Sequence, residues 1–495
     1  MKNKSIKNII WAVAAQAASI LSGLAVTKLI LLSYGSAVNG LINGINQIFA
    51  YFVLLEAGVG AASLQLLYKP AAEGRQGEMA RIMRATSAHY KRMGIVYLAA
   101  VIAIAFAYPL LLAVTGSDEG IESWITAGIV LCIGLGNVAN FIYQGRYKIL
   151  LAAEGKNYVV SASQTVYLTV SAFLKSFAII MWMDVIFVMI VGLICQIGLS
   201  VFYALYARRH YGWLKQEGEA AIIPQRGSVM VHQVSQLIFA NTDVLILTFA
   251  CGLELASVYA VYKVVVSAIS SLTYQLSESV LYRLGQDFSS GRERYLKDID
   301  SFDAIYTAVS FALLAAAYIL YRPFIVLYTG SIGDAVYDMK WLPELFIAIE
   351  LLSGVRRAMQ NTINVAGHFK ATLPRTIAET VINLGVSLAL VPWLGIYGVL
   401  IGTIAALIYR SNDIIIYGNR RILGRSPLAS YRIYAVYAAA FIPAVIAGRL
   451  IDMTFGNYLH FVIAGVIVTA AAALWFGFVT YIFFGKKIDI RRFKE

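Results

Sequence analysis

The sequence predicts an all-α polytopic membrane protein: fourteen transmembrane helices, arranged as two six-helix lobes related by an internal repeat plus two C-terminal helices. Three observations predict it. Hydrophobic residues fill 60% of the 495 positions and charged residues only 14%, with a mean hydropathy of +0.72, more apolar surface than a soluble chain of this length could bury. Apolar runs of about 20 residues recur, each long enough to cross a hydrocarbon core of ~30 Å as a helix, whereas the ten-residue alternation of a membrane barrel is absent. The cations, finally, crowd into every second connection between those runs.

Of 40 Lys and Arg, 31 fall at the N-terminus, in alternate loops and in the C-terminal tail, including six from Lys69 to Arg92 and five from Lys486 to Lys494. The opposite loops hold Lys340 and Arg449, and one of them carries Asp118, Glu119 and Glu122. By the positive-inside rule both termini are cytoplasmic, in agreement with an even number of spans. The net charge of +13 is therefore a topology signal with an anionic leaflet as its partner, and nucleic acid is excluded as the reason for it.

In order, the spans read as 8–32, 38–67, 93–114, 124–148, 158–181, 185–207, 228–250, 255–281, 303–323, 341–366, 372–391, 395–417, 431–450 and 458–484. The first begins like a signal peptide but runs on to about Leu32, so it reads as a retained span. Outer loops are short. The inner connections Pro70 to Tyr90, Arg208 to Gly227 and Gly285 to Asp303 are long enough for short surface helices. Cys132, Cys195 and Cys251 lie in or beside spans without metal-ligand spacing and read as small packing residues; no metal site is expected.

The repeat is visible in the chain itself. Leu67-Tyr68-Lys69 returns as Leu281-Tyr282-Arg283, 214 residues on, and Gly74-Arg75 returns as Gly291-Arg292, 217 on. Trp124 opens span 4 as Trp341 opens span 10, and Arg208-Arg209 is echoed by Arg420-Arg421. The domains are thus an N-terminal lobe over 1–210, a cytoplasmic linker over 211–227, a second lobe over 228–421, and a final pair of helices with the tail over 422–495. Six spans per lobe is even, so the repeat is parallel, an arrangement suited to alternating access.

Polar residues inside spans fall at helical spacing and so share faces. Span 8 carries Lys263, Ser267, Ser270, Tyr274 and Glu278; span 10 carries Glu350, Ser353, Arg357, Asn361 and Asn364, with Arg356 and Gln360 alongside. Hydroxyls and amides in such stripes commonly bridge packed helices. Charges need a stronger reason, since a guanidinium at mid-bilayer costs roughly 2.5–3.5 kcal/mol on insertion scales. Seven cations fall in or beside spans, namely Lys28, Lys175, Lys263, Arg322, Arg356, Arg357 and Arg410, as do six acids, Glu56, Asp243, Glu278, Glu350, Glu379 and Asp413. Arg410 and Asp413 are spaced for an i,i+3 pair, and Arg322 before Pro323 reads as a snorkelling side chain. Trp124 to Arg146 spans roughly 33 Å of helix, enough to reach the inner interface, whereas Trp341 to Arg356 spans roughly 22 Å, so the Arg356–Arg357 pair stops inside the membrane. The pair is the first candidate for binding an anion. Glu56 and Asp243, with Glu350 and Glu278, are candidates for proton or cation coupling or for ion pairs. No catalytic residue is assigned and no enzyme activity is expected: a membrane glycan polymerase would place polar residues in a large outer loop, and none here exceeds about a dozen residues.

Tyr34-Gly35, Asn39-Gly40-Leu41, Leu54-Leu55-Glu56-Ala57-Gly58-Val59-Gly60 and Leu67-Tyr68-Lys69-Pro70 resemble the start of bacterial polysaccharide exporters, the oligosaccharide flippases of O-antigen and capsule pathways. These belong to the superfamily of multidrug-and-toxin extruders and the lipid II flippase. The resemblance implies two lobes around a central cavity and movement of an undecaprenyl-pyrophosphate-linked oligosaccharide to the outer leaflet of the bacterial cytoplasmic membrane. It also implies cationic cavity residues, a role that falls by position class on Arg356, Arg357, Lys263, Lys175 and Lys28; Arg410 is a further substrate-binding candidate. No cofactor is expected, coupling to H+ or Na+ is, and the partners implied are membrane lipids, the glycan polymerase and the glycosyltransferases of the same pathway, with the chain itself a monomer. An organic-cation exporter of the same fold and a lipid II flippase are the alternatives.

Overall fold

A computed structural model describes residues 2–56, 59–215, 227–451 and 453–485. Most of the linker expected at 211–227 and the tail cations from Lys486 to Lys494 lie outside the described residues. The described chain is helical without a strand. Helix α1 (Lys2–Ala50) turns at Gly35, whose φ of 83° only glycine adopts readily, and so forms two limbs. A 3-10 turn (Tyr51–Leu55) leads to α2 (Val59–Glu73) and α3 (Gln76–Thr115). Next come α4 (Ser123–Ala139), a π-helical turn (Asn140–Gly145), α5 (Arg146–Ala153), α6 (Asn157–Ile180) and α7 (Val185–His210). After a 3-10 turn (Gly212–Lys215), α8 (Gly227–Cys251), α9 (Leu253–Ser290) and α10 (Arg292–Thr329) follow. The chain continues through α11 (Leu342–Val355), α12 (Arg357–Val365), α13 (Phe369–Leu394) and α14 (Ile396–Tyr417). A second π-helical turn (Gly418–Ile422) precedes α15 (Leu428–Leu450) and α16 (Tyr458–Phe484).

Eleven helices among the described residues are long and apolar enough to cross a membrane. With the second limb of α1, α8 and the segmented α11–α12 passage added, the helical passages number fourteen, as the sequence predicts. The inner connections differ from expectation. Rather than separate surface helices, the membrane helices themselves extend: only Gly74-Arg75 separates α2 from α3, and only Gly291 separates α9 from α10. Both glycines have positive φ, 69° and 136°.

Contacts group the chain into two units, Met1–Ser257 and Val258–Glu495, the boundary lying near the start of α9. In the first, α3 packs on α4, and α4 and α6 pack on α7. In the second, α10 packs on α11, and α11 and α13 pack on α14, the same pairings one repeat later. Helices α15 and α16 both pack on α10. The first unit's core includes Leu41, Ile45, Phe49, Tyr90 and Tyr203; a core in the second includes Leu284, Tyr295, Ala358, Met359 and Ile414. Lipid tails compete for apolar side chains, so close approach of backbones matters as much as burial. At Gly40, on the second limb of α1, an added methyl would collide with the backbone carbonyl of Leu253.

Candidate functional site

The tenth passage is where the structure departs most from a plain span. Its hydrogen-bonded ladder breaks at Arg356, just after Ser353-Gly354, and restarts as α12 at Arg357. Small residues of this kind are a recurring cause of helix interruption. One repeat earlier, 217 residues back, the fourth passage carries its π-helical turn at Asn140–Gly145. Both repeats thus interrupt the same helix at the same place, and only the second puts arginines there.

The break lets the two arginines diverge. Arg356 Nη1 donates to Glu379 Oε1 of α13 at 2.8 Å. Glu379 Oε2 lies 3.4 Å from Arg410 Nε on α14, and Arg410 Nη1 donates to Asp413 Oδ2 at 2.6 Å. Arg410 Nη2 donates to Thr376 Oγ1 at 3.0 Å. Asp413 Oδ1 in turn sits 3.2 Å from Arg375 Nε, whose guanidinium lies over the Tyr417 ring, 4.6 Å from its centroid. Three arginines therefore share two carboxylates along α12, α13 and α14. The pair expected between Arg410 and Asp413 forms, but Arg410 is only 2% exposed and all three of its nitrogens are engaged within the protein. It anchors the network.

Arg357 is different. It lies over the ring of Tyr274 on α9, 5.3 Å from the centroid, and makes no ion pair with a described residue. Its Nε is buried without a hydrogen-bond partner. Glu278, the exposed carboxylate one turn on, lies close enough to the Tyr274 hydroxyl for its charge to act on it. Glu350 of α11 accepts from Ser270 Oγ at 2.5 Å, and the charges of Arg357, Lys263 and Arg356 all act on it. Lys263 Nζ lies 5.5 Å from the Tyr259 ring centroid. Within the second unit the structure so brings together Arg356, Arg357, Lys263, Arg410, Glu350 and Glu278. With Arg375, Glu379 and Asp413 the cluster holds five cations and four carboxylates; Arg356, Arg375 and Arg410 share two carboxylates and so keep one positive charge in excess, while Arg357 stands outside those ion pairs. A part-buried guanidinium with an unfilled donor is suited to a phosphate or carboxylate oxygen.

Of the other sequence candidates, Lys28, Lys175, Glu56 and Asp243 belong to the first unit. Lys175 lines a polar cavity of about 460 Å3 together with Asn43, Tyr167, Ser171 and Gln196. Lys28 is on the first limb of α1, beside Thr27, which lines the same cavity. Glu56 borders a second cavity of about 560 Å3, where Asn46 and Asn137 also appear as in the first, and accepts a hydrogen bond from the Tyr90 hydroxyl. Lys148, counted among inner-loop cations, lines that second cavity and donates to Asn140 Oδ1 at 3.0 Å. Asp243 is 4% exposed on α8, next to Thr242, whose hydroxyl is 2.7 Å from that of Tyr51. Arg322 does reach outward, but its head is not simply solvated: Nε and Nη2 meet both oxygens of Asp338 at 2.9–3.3 Å.

Arg375 and Tyr274 escape a sequence reading for identifiable reasons. Arg375 sits six residues past the start of α13, and so close to an inner loop it looks like a topology charge. Tyr274 stands in the right stripe, but an aromatic there gives no sign that a cation will cover it.

The sequence matches no protein-family model, and no curated protein matches it. Solved structures do match. The lipid II flippase MurJ in an inward closed conformation aligns with a TM-score of 0.65 and 16% identity, over 96% of this chain and 99% of that one. An inward-facing multidrug resistance MATE transporter of the MOP superfamily aligns with a TM-score of 0.62 and 13% identity, over 83% of this chain and 98% of that one. An outward-facing conformation of a MATE transporter aligns at 0.56 and 15%, over 85% and 96%. The likeness runs over nearly the whole length of each, and this chain has the all-α, multi-pass membrane fold shared by MurJ and the MATE transporters.

Proposed function

We propose that the protein is a flippase that moves an anionic, undecaprenyl-pyrophosphate-linked oligosaccharide from the cytoplasmic to the outer leaflet by alternating access. The observation that carries this reading is Arg357: a guanidinium at a break in a membrane helix, lying over Tyr274, held by no carboxylate among the described residues and backed by a net-positive network. Pyrophosphate is the head group that such a fork fits, with Arg356 and Lys263 supplying further positive charge. Outward movement of that charge across an inside-negative potential is favoured by about 2.3 kcal/mol per charge per 100 mV, less what the cations neutralise. The polyprenyl tail remains in lipid, along α15 and α16. Glu56 and Asp243 are the proposed coupling carboxylates for H+ or Na+. The positive-inside pattern supports residence in the bacterial cytoplasmic membrane with both termini inside.

The test is reconstitution in liposomes with a fluorescent polyprenyl-pyrophosphate glycolipid. Wild-type protein should expose it to an outer-leaflet quencher, and the Arg356→Gln, Arg357→Gln variant should not, at equal protein level. Unimpaired movement by the variant sinks the assignment. Accumulation of lipophilic cations by wild type, without glycolipid movement, would mark an organic-cation exporter instead.

A further inference from the structure

A second basic site lies in the first unit, far along the chain from the Arg357 cluster. A cavity of about 310 Å3 is lined by Arg84 of α3, Arg146 of α5 and Arg208 of α7, with Ser87 and Tyr211 among its other walls. Met83, Ala207 and Leu214 give it an apolar side, and no acid lines it among the described residues. Three membrane helices thus bring one arginine each to one small space, although like charges converge at a cost unless an anion joins them.

The contacts of Arg146 leave one of its donors unfilled. Arg146 lies over the Tyr147 ring, 4.6 Å from its centroid, and Nη2 donates to the Tyr147 hydroxyl at 3.0 Å. That leaves Arg146 Nε buried without a hydrogen-bond partner. Glu154, which accepts from the hydroxyl of the lining residue Tyr211 at 2.7 Å, is paired with Lys156 at 2.6 Å, so its charge is already met. All three arginines belong to the loops and helix ends that the charge pattern assigns to the cytoplasmic face. There, basic pockets between helices meet the head groups of anionic lipids.

We infer that this pocket binds the phosphate group of an anionic phospholipid from the cytoplasmic leaflet, with Arg146 and Arg208 on the phosphate oxygens and the Met83–Ala207–Leu214 side along the glycerol and upper acyl chain. A soluble phosphate shares the recognised chemistry but has no use for the apolar side. The site is independent of the transported substrate. Its occupant stays with the protein rather than crossing.

The test is native mass spectrometry of the full chain released from nanodiscs of phosphatidylethanolamine containing cardiolipin or phosphatidylglycerol. Wild type should retain one anionic lipid in preference to phosphatidylethanolamine, and Arg84→Gln, Arg146→Gln, Arg208→Gln should lower that retention at least tenfold. The exposed Arg208→Gln alone, which disturbs no packing, should give a partial loss, and monodispersity of each variant in detergent checks folding. Inorganic phosphate and pyrophosphate form the second arm. Displacement of the lipid only by large excesses of either supports a lipid site. Displacement at micromolar pyrophosphate would overturn the lipid assignment in favour of a soluble phosphate, and equal lipid retention in the triple variant would overturn the site.

Discussion

Arg357 lies over Tyr274, 5.3 Å from guanidinium carbon to ring centroid, and this contact joins the broken tenth passage to α9. A cation over an aromatic ring is held by roughly 0.5–2 kcal/mol, enough to orient the fork without neutralising it. Tyr274→Phe keeps the ring and is expected to retain glycolipid movement close to wild type. Tyr274→Leu removes it and should slow movement a few-fold, while Arg357→Gln, which removes a charged hydrogen-bond donor worth about 1.5–3 kcal/mol, should slow it roughly ten- to a hundredfold. Initial rates of quencher accessibility in proteoliposomes read all three.

Glu379 is the shared acceptor of Arg356 and Arg410, and at 9% exposure it has no water to replace it. Removing one partner of a buried pair costs roughly 3–5 kcal/mol because the other charge stays behind. Glu379→Gln should therefore lower the melting temperature in detergent markedly. Glu379→Gln combined with Arg410→Gln should recover much of the loss. If the double variant is no better than the single, Glu379 and Arg410 are not energetically coupled.

Much of this architecture is legible before any coordinates, and the reason is the repeat. Glycines at 35 and 252, and at 74 and 291, are each 217 residues apart, and all four have positive φ. The recurrence of Gly74-Arg75 as Gly291-Arg292 is thus a repeated backbone geometry written as sequence. The Arg356–Arg357 pair stands out in the sequence as well, and the structure places it at the break between α11 and α12. What stays hidden is partnership. Arg375 is four residues from Glu379, a spacing that suggests a pair on one helix, yet it turns to Asp413 on α14 and leaves Glu379 to Arg356 and Arg410. Which helix faces which is a property of packing, and i,i+4 spacing cannot carry it. The three-arginine pocket is hidden for the same reason: its members are scattered over 124 residues and each looks like an ordinary topology charge.

Outside the spans, Glu119 offers a pH test. Its Oε1 accepts the backbone N–H of Glu254 at 3.1 Å, and burial raises its pKa above the usual 4.5, with that N–H pulling the other way. A carboxyl raised on folding favours the folded state most below its unfolded value, and that contribution is lost as pH rises through the folded value. Glu119→Gln removes the titration. The melting temperature of wild type relative to this variant should fall as pH is raised from below 4.5 to neutrality, and a constant difference would show that burial does not govern Glu119.

Gly40 and Gly23 both lie on α1, and they should respond oppositely to the same methyl group. At Gly23 an added Cβ has nothing within 4 Å, so Gly23→Ala trades a flexible residue for the best helix former and should be neutral or stabilising by up to about 1 kcal/mol. At Gly40 the methyl would strike the Leu253 carbonyl, a backbone atom that no rotamer change can move aside. Asn39, one residue earlier, donates to Ser257 Oγ at 2.7 Å, so separating the helices to admit the methyl also breaks a buried hydrogen bond. Backbone displacement plus that loss places Gly40→Ala among the changes costing roughly 1–3 kcal/mol or more. The expected readout is a lower melting temperature and a reduced monodisperse fraction for Gly40→Ala alone; equal behaviour of the two variants would mean that the two helices do not approach this closely.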